Sequence, residues 1–488
     1  MQLRTYQYQG ISDLRERLRA KHTRIILCMP TGAGKTLSFG HIIKRTLARD
    51  LFAKALILTD RIELMTQTGG TLRMIDLNYG FIRSGKPIDF SRRCWVGMVE
   101  TFYRRLLKQP DLLQKLGEIK VVIFDESHKA VFRKVAALLP KDIIIIGATA
   151  TPISSSKKDP LKNLFTDIVL PVRIGDLIQQ GYLVGSRVFG PIQEGMDKAL
   201  KSKGGEFTEE SQMIYFSDMS ARYSGVVENY LEFAHGKKAL VFCVNIRHVE
   251  LTTALFREAG IDARAVHSLT PTWQRNEIMA DYAARKFPVL LNCGILTTGF
   301  DDPAIECIII YRATKSLPLY FQMCGRGSRP DGPGKKHFTI IDHGNNFIRH
   351  GFWQQDCDWK AIFQSPPKHK PRPAPVKKCP DCQAIIGASA QICPYCGTRQ
   401  SVQKKPEKKA QFALIDPGRL AILEALPLNE MSIKDLSDYA FLKKYKPTWV
   451  LRQLRLRPGD YEIMAAQFAK IRGYKPGWVW AMQKFARA

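Results

Sequence analysis

Residues 1–350 alternate short apolar runs with amphipathic stretches, and this alternation constrains the fold more than any other feature of the sequence. Eight runs have the length and composition of buried strands: 24–29, 55–58, 121–124, 143–146, 239–244, 289–292, 307–311 and 338–341. Strands separated by helical stretches predict parallel sheets that are covered by helices. The runs fall into two groups, so we predict two α/β domains, at residues 1–185 and 186–352.

Four of the eleven cysteines form a pattern that is typical of a metal site. Cys379-Pro-Asp-Cys382 and Cys393-Pro-Tyr-Cys396 are two C-x-x-C pairs that ten residues separate. Two such pairs converge on one tetrahedral ion, and four thiolates favour a structural Zn²⁺ with no open coordination position. Disulfide bonds are the alternative, which a cytosolic chain disfavours. We predict a small zinc ribbon at residues 379–400 and interpret the other seven cysteines as core residues: Cys28, Cys94, Cys243, Cys293, Cys307, Cys324 and Cys357.

The segments around the predicted ribbon lack the α/β alternation. Residues 353–378 end in the run SPPKHKPRPAPVKK, whose prolines favour an extended chain, so we predict a Pro/Lys-rich linker there. We predict a basic helical C-terminal domain at residues 401–488. Residues 191–211 are polar and show no strand pattern, so we expect an insertion or a mobile connection between the two α/β domains.

A short repeat occurs in the C-terminal segment, where YKPTWV at residues 445–450 recurs as YKPGWV at residues 474–479. Proline near a helix start suits the fixed φ of that residue. The aromatic rings could stack on nucleic-acid bases while the lysines contact phosphates. Alternatively, Trp449 and Trp478 anchor the core of a small helical domain, and we favour this interpretation for the rings.

The charge balance favours a polyanionic partner. The chain has 74 Lys and Arg against 45 Asp and Glu, a formal net charge of +29, and residues 366–488 hold 23 basic and 9 acidic side chains. Such an excess is typical of nucleic-acid binding, although a basic surface can also serve solubility alone. No apolar run approaches the roughly 20 residues of a membrane span, and the first residues lack a secretory signal pattern. We therefore expect a cytoplasmic protein with no membrane association.

A glycine-rich phosphate loop follows the first predicted strand. The run Pro30-Thr31-Gly32-Ala33-Gly34-Lys35-Thr36 precedes an amphipathic helix at residues 37–49. Glycines let backbone N–H groups approach phosphates, and the helix N-terminus adds positive potential. Lys35 would meet the β- and γ-phosphates, and the Thr36 hydroxyl would hold Mg²⁺. Met29 stands where the general pattern has its first glycine.

Asp125 and Glu126 follow the apolar run 121–124, at the C-terminal end of a predicted strand. Ligand crevices of α/β sheets form at such ends. Asp125 would bind Mg²⁺, and Glu126 would orient and deprotonate the attacking water. A helix cap or a surface turn is the alternative. The two features together favour an ATPase site that uses ATP and Mg²⁺.

The order of six segments resembles that of the superfamily 2 helicases and translocases of the DEAD/DEAH-box type. The segments are Arg4-Thr5-Tyr6-Gln7, the phosphate loop, Asp125-Glu126-Ser127-His128, GATATP at 147–152, LTTGFDDP at 296–303 and QMCGRGSR at 322–329. The resemblance covers residues 1–350 and is greatest to the RadD-like and XPB-like branch. It implies two tandem RecA-like domains with parallel sheets.

The resemblance also implies roles for individual residues. Gln7 would contact adenine, Gly299 and Asp301 would line the nucleotide, and Arg326 and Arg329 match arginine fingers. The implied nucleotide-binding residues are Gln7, Thr31, Gly32, Ala33, Gly34, Lys35, Thr36, Gly299 and Asp301, and the implied catalytic residues are Lys35, Asp125, Glu126, Gln322, Arg326 and Arg329. Thr59, Arg61, Thr101, Asn245 and Thr297 would contact the phosphodiester backbone, and Thr149 and Thr151 would couple it to ATP. Each of the backbone-contacting residues could instead be an ordinary strand-end polar residue.

These features predict an ATP-driven helicase or translocase that acts on nucleic acid, with DNA favoured over RNA. An ATP-switched clamp or remodeller that does not separate strands is the alternative. A small-molecule kinase would leave the QMCGRGSR segment and the positive charge unexplained, and no additional carboxylate cluster supports a nuclease. Protein partners could bind through the zinc ribbon or the C-terminal segment.

Overall fold

The computed structural model describes residues 2–154, 159–192, 196–222, 225–297, 299–364, 374–400, 423–443, 445–474 and 479, with the side chains of 218–222 left out. The chain divides into two units, Met1–Val402 and Gln403–Ala488. Among the helices of the described residues, none has the length and apolar character to cross a membrane.

The first lobe of the larger unit is built on a parallel sheet of seven strands in the order β3-β4-β2-β5-β6-β1-β7. The strands are β1 (Arg24–Cys28), β2 (Lys54–Thr59), β3 (Gly80–Ile82), β4 (Cys94–Met98), β5 (Ile119–Asp125), β6 (Ile144–Thr149) and β7 (Asp167–Val169). The helices are α1 (Thr5–Arg19), α2 (Lys35–Arg49), α3 (Ile62–Met74), α4 (Val99–Lys108), α5 (Leu112–Leu116), α6 (Val131–Leu138) and α7 (Ile174–Gln179), with a 3₁₀ turn at Leu161–Asn163. Ile26 and Leu27 point into different apolar cores, because successive strand residues face opposite sides of a sheet.

The second lobe is built on a parallel sheet of six strands in the order β12-β13-β11-β14-β15-β8. Its strands are β8 (Gly185–Phe189), β11 (Ala239–Cys243), β12 (Ala263–Val266), β13 (Val289–Asn292), β14 (Cys307–Tyr311) and β15 (His337–Asp342), and a hairpin is formed by β9 (Ser202–Lys203) and β10 (Glu206–Phe207). Its helices are α8 (Met196–Ala199), α9 (Glu209–Arg222), α10 (Val226–Ala234), α11 (Ile246–Glu258), α12 (Thr272–Ala283), α13 (Leu317–Gly325), α14 (Asn346–His350) and α15 (Trp359–Gln364). The predicted α/β fold with two RecA-like lobes and parallel sheets is confirmed.

The insertion expected at residues 191–211 follows β8 within the second lobe instead of lying between the lobes, and the linker expected at residues 353–378 is wrong at both ends. Residues 202–207 form the hairpin β9–β10, whose strands have two residues each and are too short to produce a strand pattern in the sequence. Phe207 of this hairpin is buried, and Glu206 accepts hydrogen bonds from the Thr314 hydroxyl and the Lys315 backbone. The predicted linker at 353–378 is folded at both ends, because Trp353 is buried and residues 376–378 form a strand. Residues 365–373 lie outside the described residues.

The cysteine-rich segment packs against the edge strand of the second sheet. It contains the antiparallel pair β16 (Val376–Lys378) and β17 (Ile385–Gly387), and Ile385 joins the core of the lobes. The Tyr395 hydroxyl donates to the Ser186 carbonyl of β8 at 3.1 Å. The Arg187 guanidinium lies 5.7 Å from the centre of the Tyr395 ring. The segment is therefore an integral part of the larger unit.

The smaller unit contains three short helices, α16 (Ile433–Leu442), α17 (Pro447–Arg455) and α18 (Tyr461–Ile471). Their apolar faces meet in a core that includes Leu436, Leu454 and Phe468. Trp449 packs against this core, in agreement with our interpretation of that ring, and its centre lies 4.6 Å from that of Tyr445. Trp478 lies outside the described residues.

Candidate active site

The phosphate loop connects β1 to the N-terminus of α2 at the carboxyl edge of the first sheet. Gly32 and Gly34 adopt φ values of +86° and +76°, a left-handed region that glycine enters without strain. The Lys35 ammonium donates to the Met29 carbonyl at 3.3 Å. A strand end, two left-handed glycines and the start of a fifteen-residue helix form an anion-binding geometry.

The first turn of α1 supports this loop from outside. The Gln7 amide nitrogen donates to the carbonyls of Ala33 and Gly34, each at 3.1 Å, and the Gln7 oxygen accepts from the Arg4 backbone N–H. The Tyr6 hydroxyl also donates to the Ala33 carbonyl at 3.0 Å. Gln7, which we expected to contact adenine, is buried and uses both ends of its amide to hold the backbone.

Asp125 and Glu126 lie at the end of β5 and are both buried. Burial, and next the neighbouring Glu126 carboxylate, raise the pKa of Asp125, whereas Lys35 opposes them. Glu126 has φ +57°, a left-handed conformation that is uncommon for a residue with a side chain. Within the described residues, Glu126 Oε2 forms no hydrogen bond, although His128 Nδ1 lies 3.3 Å from it, within ion-pair distance. A buried acceptor that forms no hydrogen bond is suited to a water molecule or a cation, so this pair fits a Mg²⁺ ion and its water.

His128 connects Glu126 to the end of β6. Its Nδ1 atom lies 3.3 Å from Glu126 Oε2 and 3.2 Å from the Thr149 hydroxyl. Thr149 Oγ1 in turn donates to the Thr151 carbonyl and accepts from the Thr151 backbone N–H, at 3.2 Å each. Thr149 and Thr151 are fully buried. Their hydroxyl groups are therefore placed to link the ends of neighbouring strands and not to contact a ligand at the surface. His128 belongs to the Asp125-Glu126-Ser127-His128 motif, but no role for it is predicted from the sequence.

The second lobe contributes two arginines to the same cleft. The Arg326 guanidinium donates to the carbonyls of Thr297 and Phe300, in the loop that precedes β14. Burial lowers the pKa of Arg326 to about 10, and the nearby Glu126 carboxylate opposes this shift. Arg329 forms an ion pair with Asp301. The structure therefore brings Arg326 and Glu126, from different lobes, within electrostatic reach of each other.

The lobes also meet at the phosphate loop and at α3. A Cβ added to Gly32 would lie 3.8 Å from Arg329 Nε, and one added to Gly325 would lie 3.1 Å from Thr31 Cβ. Gly299, with φ +74°, packs so closely on α3 that an added Cβ would lie 2.8 Å from Glu63 Cβ. Among the remaining candidates for the nucleotide site, Thr36 and Gln322 are partly buried and Ala33 is fully buried.

The residues expected to contact the phosphodiester backbone are less closely grouped. Arg61 donates across the cleft to the Gly294 carbonyl at 2.9 Å, and the Thr297 hydroxyl donates to the same atom at 3.2 Å. Thr59 is buried, and its hydroxyl donates to the Arg61 carbonyl. Asn245 caps α11 by accepting from the His248 N–H, and Thr101 is partly buried on α4. Four of these five side chains, all except that of Thr101, thus form hydrogen bonds within the protein.

The four cysteines of the predicted ribbon form one cluster. Their Sγ atoms all lie within 4.8 Å of one another, with 3.7 Å between Cys379 and Cys396 and between Cys382 and Cys393. A tetrahedral ion with Zn–S bonds of about 2.3 Å requires sulfur separations of about 3.8 Å. A disulfide requires about 2.05 Å. The cluster is therefore compatible with Zn²⁺. Of the other seven cysteines, five are buried, and Cys293 and Cys357 are partly buried.

Comparisons with known proteins give two family matches. Residues 1–154 match the type III restriction enzyme res subunit, and residues 223–331 match the helicase conserved C-terminal domain. A 51.5 kDa protein of a Lactococcus phage is 28% identical over 88% of each chain. The putative mitochondrial ATP-dependent helicase irc3 of Schizosaccharomyces pombe is 30% identical over 72% of this chain, which spans 58% of that relative's length.

The fold matches those of solved structures. A fragment of a putative HsdR subunit of a type I restriction enzyme from Vibrio vulnificus aligns with a TM-score of 0.56 at 20% identity, over 78% of this chain and 70% of that one. The type ISP restriction-modification enzyme LlaBIII bound to DNA aligns with a TM-score of 0.52 at 17% identity, over 70% of this chain and 28% of that one. At these sequence identities, the similarity shows a shared fold and nothing more.

Proposed function

Because the chain belongs to the superfamily 2 helicases and ATPases and is an ATP hydrolase of that type, we propose that it is a motor that couples Mg-ATP hydrolysis to movement on nucleic acid. The proximity of Arg326 and Arg329 of one lobe to Glu126 and Gly32 of the other carries this proposal. When an active site is divided between two lobes, its catalytic groups come together only when the lobes close. Hydrolysis then depends on closure.

The side chains of the cleft suit the steps of phosphoryl transfer to water. Lys35 and the backbone N–H groups of the phosphate loop would bind the phosphates, and Thr36 with Asp125 would hold Mg²⁺, which supplies charge neutralisation. Glu126 would orient the attacking water and accept its proton at Oε2, which forms no hydrogen bond among the described residues. Arg326 and Arg329 would stabilise the charge that develops in the transition state.

Arg326 would have to exchange partners during the cycle. Its guanidinium is occupied by two carbonyls of its own lobe, those of Thr297 and Phe300. A transferring phosphate offers a charged acceptor, and hydrogen bonds to charged acceptors are roughly twice as strong as those to neutral ones. Phosphate entry can therefore displace the carbonyls, and the freed loop would report the nucleotide state to Thr297, a candidate for nucleic-acid contact.

We propose that the nucleic acid is DNA rather than RNA and that it lies across both lobes near Thr59, Arg61, Thr101, Asn245 and Thr297. Structures related in fold include one bound to DNA. Contacts made chiefly to phosphates predict weak sequence preference and steep salt dependence. The cysteine cluster, with zinc bound, and the basic C-terminal unit would strengthen binding to nucleic acid or select its target. Either could also bind protein partners.

Substitutions at Glu126 and Arg326 test the site. Glu126→Gln should retain binding of a fluorescent ATP analogue and lose hydrolysis. Arg326→Ala should lower kcat by about 10³-fold or more, as for other arginine fingers. Arg19→Ala, at an exposed position on α1, is the matched control and should hydrolyse normally. Wild-type hydrolysis in either site variant would refute the assignment.

Stimulation of ATP hydrolysis identifies the substrate. Single-stranded, double-stranded and forked DNA and single-stranded RNA should be compared at several salt concentrations. DNA should stimulate more than RNA, and added salt should abolish the effect. A duplex-unwinding assay beside a triplex-displacement assay separates a helicase from a translocase or clamp. If no nucleic acid changes the rate, the motor proposal fails.

A further inference from the structure

The segment that follows the second lobe returns to the first lobe within twelve residues. This segment, residues 353–364, is called the strap. It begins beside β15, crosses the side of the cleft and ends with α15 next to the 3₁₀ turn at Leu161–Asn163. The lobes are thus joined by residues 170–184 and by the strap.

The start of the strap is attached to the second lobe. The Trp353 ring is 1% exposed and contacts Phe338 of β15 edge-on, with 5.7 Å between the ring centres. The Gln354 side-chain oxygen accepts from the Ser186 backbone N–H at 2.8 Å and from the Ser186 hydroxyl at 3.2 Å. A fully buried tryptophan and two hydrogen bonds to an edge strand fix these residues to the second sheet.

The end of the strap is attached to the first lobe. Phe363 is 5% exposed and belongs to the apolar core of that lobe, which also contains Leu161 and Phe165. The Gln364 carbonyl accepts from the Lys162 ammonium at 3.0 Å. Burial of a phenylalanine side chain removes a large apolar surface from water, so this end is firmly attached to the first lobe.

Between these ends, Trp359 contacts the helix that leads to the arginines. Its ring meets that of Phe321 edge-on, with 5.8 Å between the centres. Phe321 precedes Gln322 on α13, and α13 ends one residue before Arg326. Trp359 also packs against apolar residues of the first lobe. A cavity of about 520 Å³ separates the strap from Pro30 and Thr31 of the phosphate loop, which leaves room for displacement on closure.

We propose that the strap is a tether in which Trp359 is a positioning residue: through Phe321 and α13 it sets Arg326 and Arg329 against the phosphate loop. The inference rests on the proposed function and assigns it a residue outside the cleft motifs. Two crossings restrict the relative rotation of the lobes more than one crossing does. A catalytic group misplaced by about 1 Å can lose 10²-fold in rate, so the tether matters for turnover rather than for ATP binding.

The test is a double-mutant cycle on ATP hydrolysis by the full chain. Trp359→Ala should lower kcat by about 10- to 100-fold. The dissociation constant for ATP, measured in a Glu126→Gln background, should stay the same. Added to Arg326→Ala, the same substitution should cost clearly less than it does alone, because Trp359 acts in part through that arginine and only its effect through Arg329 remains. Trp359→Phe should recover most of the rate.

Two further variants keep the outcome interpretable. Phe321→Leu removes the same ring contact from the side of α13 and should produce the same fall in kcat, even if Trp359→Ala folds poorly. Phe52→Ala removes an aromatic ring that is 78% exposed on the first lobe and should have no effect.

The outcomes separate the two proposals. A normal kcat in Trp359→Ala and Phe321→Leu, or losses that add fully to that of Arg326→Ala, would overturn the tether. A normal kcat in Arg326→Ala itself would overturn the proposed active site instead.

Discussion

A buried ion pair fixes the loop that holds Arg326, and breaking it should both destabilise the second lobe and slow turnover. The Lys238 ammonium lies 2.6 Å from Asp302 Oδ2, and the two side chains are 3% and 8% exposed. The ammonium also lies 4.3 Å from the centre of the buried Tyr282 ring. Asp302 lies in the same β13–β14 loop as Thr297 and Phe300, whose carbonyls accept from Arg326. Lys238→Met keeps the length of the side chain and removes its charge.

The size of the effect follows from burial. Removing one partner of a buried ion pair costs about 3–5 kcal/mol, because the other charge is left without compensation. For a unit of roughly 150–250 residues, each kcal/mol lowers the unfolding temperature by about 2–4 °C. Lys238→Met should therefore lower the unfolding temperature of the second lobe by roughly 6–20 °C. The kcat should fall as well, because the Arg326 loop loses an anchor.

Hydrogen exchange of the backbone amides in β11 and β14, measured as the temperature rises, gives the unfolding temperature of the second lobe separately. Lys115→Met is the matched control, because the Lys115–Asp111 pair is 54% and 50% exposed, and it should not change the unfolding temperature. Lys238→Met combined with Asp302→Leu should regain most of the stability, since apolar pairs often replace buried ion pairs without loss. An unfolding temperature of Lys238→Met within about 2 °C of wild type would contradict the reasoning.

Gly34→Ala should abolish ATP binding in a nucleotide titration, because the new Cβ would lie 2.6 Å from Gln7 Nε2; Gly85→Ala, with φ +69° and no described atom within 4 Å, should bind normally. Cys382→Ser should release bound zinc, measured with a chromogenic chelator, and lower the unfolding temperature of the second lobe; an unchanged temperature would speak against docking. Burial lowers the pKa of His248 to about 4, so below pH 6.5 the unfolded chain binds protons that the folded chain does not. The unfolding temperature should therefore fall from pH 7 to 5, and His248→Gln should flatten this dependence.

The sequence predicted the central strands well and the edges poorly. All eight apolar runs are strands, because a strand covered on both faces must be apolar throughout. Among the missed strands of the two large sheets, β3 and β7 have three residues each, β8 and β12 are edge strands that contain an arginine, and β4, next to an edge, has a glycine within a short apolar run. Short length, a charged residue or a glycine makes such a run harder to recognise as a strand than the longer apolar runs of the central strands.

Local sequence motifs predicted where the cleft lies, but they could not predict contacts between residues that are distant in sequence. The phosphate loop and Asp125-Glu126 are each read from consecutive residues at a strand end. In contrast, the bond of Gln7 to the phosphate loop joins residues 26 positions apart, and that of Arg326 to Thr297 joins residues 29 apart. The prediction that the strap is part of a linker is wrong, because the proline-rich run that follows the strap dominates the local composition.

The edge of the second sheet is closed by residues that are synthesised long after it. The Ser186 N–H and carbonyl of β8 are bonded by Gln354 and Tyr395, 168 and 209 residues later in the chain. Unpaired edge strands are templates for aggregation, and a cysteine ribbon of this size folds with its metal. Under the proposed zinc binding, β8 of a nascent chain stays uncovered until residues 354 and 395 have been made and the ribbon has bound its metal. In zinc-starved cells we expect newly made chains to aggregate, while molecules assembled earlier continue to hydrolyse ATP.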